Sequence, residues 1–270
     1  MPSTQIKTAY LSLEQNSEGV LRVVLNDPLS RNALSEKMLK ALGDTMDNVS
    51  TKKDIRVTIL SAAGPVFCAG HDLKEMTAGR QNADRGRAYF TKILDQCSSV
   101  MQKIVTCPKP VIAEIDGVAT AAGCQLVASC DLAVASETAQ FCTPGVHIGL
   151  FCSTPMVALS RNLANKHAME MLLTGDMVPA SRAVEMGLIN QVVPPAELRA
   201  ASMALAGKIA AKSSLTVATG KRAFYQQKEM DLAAAYNYAS EIMVQNMLAR
   251  DAEEGIAAFI EKRTPDWRDE

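Results

Sequence analysis

Hydrophobic and polar positions change period as the chain runs. Tyr10-Leu11-Ser12-Leu13 and Gly19-Val20-Leu21-Arg22-Val23-Val24-Leu25 are apolar-rich runs on either side of a polar stretch from Glu14 to Glu18, which predicts a β-hairpin. Asn26 to Leu34 reads as a loop, and Ser35 as the cap of a helix beginning at Ser35-Glu36-Lys37-Met38. Leu34, Met38, Leu42 and Met46 recur at helical spacing and share one face. Ile55 to Leu60 predicts a strand and Ala63-Gly64-Pro65 a turn. About Asn82 to Thr106 predicts a long helix, and Val111 to Ile115 and Leu132 to Ala135 predict further strands. Strand and helix alternate without exact sequence repetition, so the first half reads as an α/β wound sheet with helices outside.

From Thr154 onward the pattern is helical. Met156 to Asn162, Lys166 to Thr174, Ser181 to Met186, Ala196 to Lys212, Thr216 to Lys228 and Asp231 to Arg250 are predicted helices, with one strand at Leu188 to Val193. Leu232, Tyr236, Ala239, Met243 and Met247 form an apolar stripe, of the kind that meets a core or another subunit. Asp251 is expected to cap a last helix that runs to Glu261 or Lys262, with Pro265 beyond it. These readings divide the chain into a core of residues 1–195 and a helical region of residues 196–270.

Composition narrows the partners. The chain has 270 residues, 48% hydrophobic, with 28 basic and 29 acidic side chains and a net charge of -1. That balance gives no electrostatic reason to expect nucleic acid or an anionic membrane. The first ten residues lack an apolar core, and no apolar run reaches membrane-spanning length. The seven cysteines lack CxxC spacing and look like reduced, buried side chains. The expectation is an intracellular, cytoplasmic protein. His147 and His167 have no partners at metal-ligand spacing, so no metal is expected.

The stretch from Val111 to Asp131 carries the chemistry. A buried strand leads through Asp116-Gly117 and the small residues Ala121-Ala122-Gly123 into a helix that is apolar on nearly every side. A helix without a polar face has to be buried. Its first amides lack intrahelical partners and sit at the positive pole of the helix dipole. A substrate carbonyl oxygen gaining negative charge fits there, and small side chains let it approach. Gln125 is the first polar side chain beyond those donors.

Asn32-Ala33-Leu34, Phe67-Cys68-Ala69-Gly70-His71-Asp72-Leu73, Lys109-Pro110-Val111-Ile112-Ala113, Asp116-Gly117, Cys130 to Ala135 and Ala139-Gln140-Phe141 occur in an order that resembles the crotonase, or enoyl-CoA hydratase/isomerase, superfamily. Leu173 to Asp176, Ala183 to Leu188 and Glu261-Lys262-Arg263 continue the resemblance over almost the whole chain. It implies a crotonase (ClpP/crotonase-like) spiral of ββα units followed by a helical trimerisation region, assembled as a homotrimer or dimer of trimers. It also implies an acyl-CoA or enoyl-CoA thioester as substrate or ligand, with no separate cofactor. The backbone amides of His71 and Ala122 would form the oxyanion hole. Leu29, Arg31, Ala69, His71, Asp72 and Leu73 would surround CoA, joined by Phe259 and Lys262 from a neighbouring subunit.

The proton-handling positions depart from that family. Hydratases use two glutamates; Gln125 stands at the first position and Gly145 at the second, and neither exchanges a proton at neutral pH. Ser153 stands where some members carry an aspartate. Ser153, Cys152 and Gln125 could order a water, and Glu75, Glu114 and Asp95 are carboxylates a fold could bring in. Two-glutamate hydration is therefore not expected. The alternative is a non-catalytic acyl-CoA-binding or regulatory protein on the same scaffold. Restoring Glu at 125 and 145 together is expected to recover hydration in part. The run Gly149-Leu150-Phe151-Cys152-Ser153-Thr154-Pro155 also looks unlike a true hydratase.

Overall fold

The computed structural model of the chain describes residues 4–270. Its elements run β1 (Thr4–Lys7), β2 (Leu11–Gln15), β3 (Val20–Leu25), α1 (Glu36–Thr51), β4 (Val57–Ala62), β5 (Val66–Cys68), α2 (Leu73–Gly79), α3 (Arg87–Thr106), β6 (Val111–Ile115), β7 (Val118–Thr120) and α4 (Ala122–Ser129). The second half adds β8 (Leu132–Ser136), β9 (Gln140–Cys142), α5 (Ser153–Asn162), α6 (Asn165–Thr174), β10 (Val178–Pro179), α7 (Ala180–Met186) and β11 (Gln191–Val193). The chain closes with α8 (Leu198–Ala210), α9 (Ser214–Gln227), α10 (Leu232–Met247) and α11 (Arg250–Glu261).

Two sheets organise these elements. The larger has the order β1-β2-β3-β4-β6-β8-β11, antiparallel through the β2–β3 hairpin and parallel from β3 onward. Parallel strands covered on both faces need apolar residues of both parities. Val57 and Ile59 of β4, Ile112 of β6 and Val134 of β8 pack with Leu198, Ala206 and Ala210 of α8. Leu60, Val111, Ala113 and Ala133 point the other way, into the main core with Met38, Leu42 and Met46 of α1 and Ile93, Cys97 and Val100 of α3. Helix α8, which the division at residue 196 places in the C-terminal region, thus covers one face of the sheet. Arg22, Glu114 and Ser202 tie β3, β6 and α8 together through a buried ion pair and hydrogen bond.

The smaller sheet has the order β10-β9-β7-β5, with β5, β7 and β9 parallel. Each of these three strands is the second strand of a ββα unit, and neighbouring pairs bring Cys68 beside Ala119 and Thr120 beside Cys142. The chain segments leaving β5, β7 and β9 therefore emerge side by side. The spiral of ββα units is present.

Several expected boundaries move: the strand expected from Leu188 begins at Gln191 and the helix expected from Met156 begins at Ser153, and two further shifts have a visible cause. The helix expected from Asn82 begins at Arg87, because Asp84 turns its carboxylate onto the amides of Gly86 and Ala88 and Gly86 takes φ +89°. Asp251 does not cap α11; that position falls to Ala249. Asp251 lies in the first turn, buried, accepting the amides of Arg268 and Asp269 at 2.9 Å and so fastening the C-terminal tail. Ser35 does cap α1, its hydroxyl accepting Met38 N at 3.2 Å.

Candidate active site

Three loops meet at the ends of the small sheet, and backbone bonds lock them together. Leu34 N donates to Gly70 O at 2.7 Å and Ala69 N to Arg31 O at 3.1 Å, joining the loop before α1 to the loop after β5. Ala121 N donates to Cys142 O at 2.9 Å, joining the ends of β7 and β9. Asn32 anchors this arrangement from within. Its buried side chain donates to Ala63 O and Val66 O at 2.9 and 2.8 Å and accepts Asp27 N at 2.9 Å. The sequence offered Asn32 only as part of a motif; its φ of +52° is the conformational signature of that clamp.

Gly70 carries the close approach. At φ +83°, a Cβ there would fall 3.0 Å from both Thr120 O and the Ala121 Cβ, and 3.3 Å from Ala122 N. The peptide that joins Gly70 to His71 is thus pressed against the first amide of α4. Among the described residues, neither His71 N nor Ala122 N donates to a protein acceptor. The two expected donors are adjacent and free. Ala121 holds φ +51° and ψ −117°, a glycine-like conformation for a residue with a Cβ. The backbone cost of replacing glycine therefore falls on Ala121, while Ala122 is an ordinary first helical residue.

His71 contributes no acid or base of its own that is set up for transfer. Neither ring nitrogen has a hydrogen-bond partner. Burial holds its pKa below the usual value, opposed by the Leu34 carbonyl, so the ring is neutral near pH 7. The seven cysteines are free and buried, and burial pushes Cys68 and Cys97 up to about 12. They are thiols, not nucleophilic thiolates.

Gln125 lies one turn into α4, 4% exposed, and its Oε1 has no partner. It lines a cavity of about 490 Å³ with Met101 and Val105 of α3, Ala128 of α4, and Val157 and Ala158 of α5. Tyr225 of α9 closes the far wall. Its hydroxyl donates to Asp131 at 2.9 Å, and Lys221 joins the same carboxylate at 2.6 Å, so Asp131 pins α9 to the core. Asp131, too, was only a motif residue in the sequence.

Gly145 is buried in a 3-10 turn, Pro144–Ile148. A Cβ there would meet Leu150 O at 2.8 Å and Cys152 Sγ at 2.9 Å. The place for a side chain at this position is filled by the following loop. Ser153 starts α5 on the surface with its hydroxyl toward Phe151 O at 3.3 Å, and it does not line the Gln125 cavity. Nor do the carboxylates that the sequence offered line it; the acidic side chain there is Glu229, which the sequence did not single out and which lies 3.5 Å from Arg161. Glu114 is held by Arg22 and Ser202, Glu75 by Glu36 N at 3.0 Å and Tyr89 at 3.3 Å, and Asp95 is exposed on α3. His147 bonds to Thr174 O at 2.8 Å and His167 approaches Glu170 at 3.9 Å.

The expected CoA residues divide into two groups. Arg31, Ala69, Asp72 and Leu73 lie on the joined loops beside His71, with Leu29 on the same turn and 99% exposed. Asp72 caps α2, accepting Lys74 N at 2.8 Å and Glu75 N at 3.2 Å. Phe259, 85% exposed, lines a separate groove with Val217, Met243 and Trp267, and Lys262 ends α11 at φ +57°. Within one chain these two residues do not join the loop group.

Two sheets wound from successive ββα units, with helices outside, define the crotonase fold class. Residues 15–270 match the family described as Enoyl-CoA hydratase/isomerase, and the chain belongs to that family. It is 48% identical over 257 residues to rat "Enoyl-CoA hydratase domain-containing protein 3, mitochondrial", covering 95% of this chain and 84% of that protein. The human structure of that name shares 46% identity at a TM-score of 0.88, over 99% of this chain and 100% of the other. An enoyl-CoA hydratase structure from Mycobacterium smegmatis shares 47% identity at a TM-score of 0.92, over 96% and 99%. The rat, mouse and human relatives are named as mitochondrial, which overturns the cytoplasmic expectation. That expectation had rested on a polar N-terminal segment and unpaired cysteines, features that do not distinguish these compartments. No helix among the described residues is long and apolar enough to cross a membrane.

Proposed function

We propose that this chain binds an acyl- or enoyl-CoA thioester with the carbonyl oxygen between His71 N and Ala122 N, and that these amides stabilise the enolate form of the bound thioester. The observation that carries this reading is the adjacency of two amides that donate to no protein acceptor. Negative charge is concentrated on the thioester oxygen in the enolate form. Fixed donors at that oxygen are worth about 3 kcal/mol each by deletion. Arg31, exposed on the joined loops, is suited to a CoA phosphate. Exposed Leu232, Tyr236, Met243, Phe259 and Ile260 on α10 and α11 support assembly as a homotrimer or dimer of trimers, in which a neighbour brings Phe259 and Lys262 to CoA.

Hydration by two carboxylates is not part of the proposal, because Gln125 and Gly145 stand at those positions. A second reading, an acyl-CoA-binding protein without turnover, is favoured by the commitment of Glu75 and Glu114 to structural bonds. Assays of hydration, isomerisation and thioester hydrolysis over a CoA panel, run beside calorimetric titration, separate the two. Turnover that is lost in Gly70→Ala supports the enzyme. Tight binding without turnover supports the binder, and no binding contradicts both.

A further inference from the structure

We infer that the far end of the cavity between α3, α4, α5 and α9 recognises a carboxylate, so that the preferred thioester carries a second carboxyl group at the end of its acyl chain. The inference rests on the thioester reading above and deepens it by naming the distal group. Each of the four helices presents one stripe of side chains to the cavity. On α5 the stripe is Thr154, Val157, Ala158 and Arg161, spaced three or four residues apart, so it leads from small and apolar side chains to a cation. Lys228 and Glu229, at the C-terminal end of α9, meet it there. Among the described residues that line the cavity, Arg161, Lys228 and Glu229 are the charged ones, two cations against one anion, a sum of +1.

Their existing bonds leave donors over. Arg161 Nε lies 3.5 Å from Glu229, and both side chains of that pair are more than half exposed, so the pair is weakly held. Arg161 Nη1 donates to Val157 O at 3.3 Å. Lys228 Nζ donates to Arg161 O at 2.9 Å, which uses one of its three hydrogens. A carboxylate arriving through the cavity meets unused guanidinium and ammonium hydrogens at one place. A methyl end offers them no acceptor.

The fold sets the length of chain that reaches them. Asn162 Nδ2 donates to Ala128 O at 2.8 Å, which lays the Arg161 end of α5 against Ala128. Ala128 follows Ala122 by six residues on α4, about 9 Å along the axis. With the carbonyl held at Ala122 N, an extended chain of about eight carbons covers that span, and one of about four stops short.

The test is calorimetric titration of the wild-type chain with octanoyl-CoA, octanedioyl-CoA, butanoyl-CoA and butanedioyl-CoA. Octanedioyl-CoA is expected to bind about fivefold more tightly than octanoyl-CoA at low salt, the worth of a half-exposed charge pair. That advantage is expected to shrink as salt is added. Butanedioyl-CoA is expected to gain nothing over butanoyl-CoA. In the Arg161→Gln, Lys228→Gln double variant, checked for folding by its thermal transition, the eight-carbon ratio is expected to fall to about one. In Glu229→Gln, which removes the competing carboxylate, the ratio is expected to rise by about twofold. Equal wild-type affinities for the eight-carbon pair overturn the inference while leaving the thioester reading intact. So does an equal gain for the four-carbon diacid, a preference that survives loss of both cations, or a ratio that falls in Glu229→Gln. Binding of none of the four removes both readings.

Discussion

The sulfur of Cys152 stands 2.9 Å from where a Cβ on Gly145 would be, and the Leu150 carbonyl oxygen stands 2.8 Å from it. Gly145 is therefore more than a position that has lost a carboxylate. The Gly149–Ser153 run has folded into the space a longer residue needs, with Leu150 N bonded to Gly145 O at 2.9 Å. This reverses the expectation that two glutamates would partly restore hydration. Gly145→Glu forces the backbone of the loop to move, at a cost of about 1–3 kcal/mol or more. The Gln125→Glu, Gly145→Glu double variant is expected to melt below the wild type and to show no enoyl-CoA hydration above background. Recovery of hydration at an unchanged melting temperature would show that the loop yields freely.

Gly70 provides a second steric test. An alanine there combines φ +83° with contacts of 3.0 Å to Thr120 O and the Ala121 Cβ. The left-handed backbone alone costs about 1–2 kcal/mol for a residue with a Cβ. Relief of the clash must push the His71 peptide away from Ala122. Gly70→Ala is expected to lose about 2 kcal/mol of stability in urea titration and to weaken acyl-CoA binding more than free CoA binding. Equal loss for both ligands would place the effect outside the carbonyl site.

Ala121 offers the opposite change. Its φ of +51° with ψ −117° is strained for alanine and easy for glycine. Ala121→Gly is expected to stabilise the chain by about 1 kcal/mol, the relief of strain exceeding the added entropy of the unfolded chain. Urea unfolding checks this; a destabilised variant would mean that the Ala121 methyl contributes more by packing than its backbone costs.

The neutral His71 ring makes stability depend on pH. Burial lowers its folded pKa below the usual 6.5, so as pH falls through 6.5 the unfolded chain takes up a proton that the folded chain resists. Stability from this residue is present above 6.5 and is lost as pH falls toward the folded pKa. His71→Gln is expected to show a smaller drop in urea midpoint than the wild type between about pH 7.5 and about pH 5.5. Identical drops would show that the ring is solvated.

Long periodic segments were legible in the sequence because burial writes itself into their spacing. The Leu34–Met38–Leu42–Met46 face and the Val111–Ile115 strand lie where the pattern put them. The small sheet was not legible as a sheet, since β5, β7 and β9 have three residues each and β10 has two, too few for any period to show. Yet that sheet places the site. The donors expected at 71 and 122 came from the family resemblance, the small-residue run Ala121-Ala122-Gly123 marking only the second of them, whereas the blocked wall at Gly145 depends on a loop folding back by five to seven residues, which no local pattern encodes. Asn32 and Asp131 were visible as residues but not as clamps, because their partners lie far away in the chain.

The central claim is that two main-chain amides polarise a thioester carbonyl, and the carbonyl itself reports on this. Isotope-edited infrared difference spectroscopy of an acyl-CoA carrying carbon-13 at the thioester carbon, bound to the wild-type chain, reads the stretch directly. The account predicts a clear displacement to lower frequency on binding, diminished in Gly70→Ala. A bound carbonyl that absorbs where the free thioester does in water would contradict it.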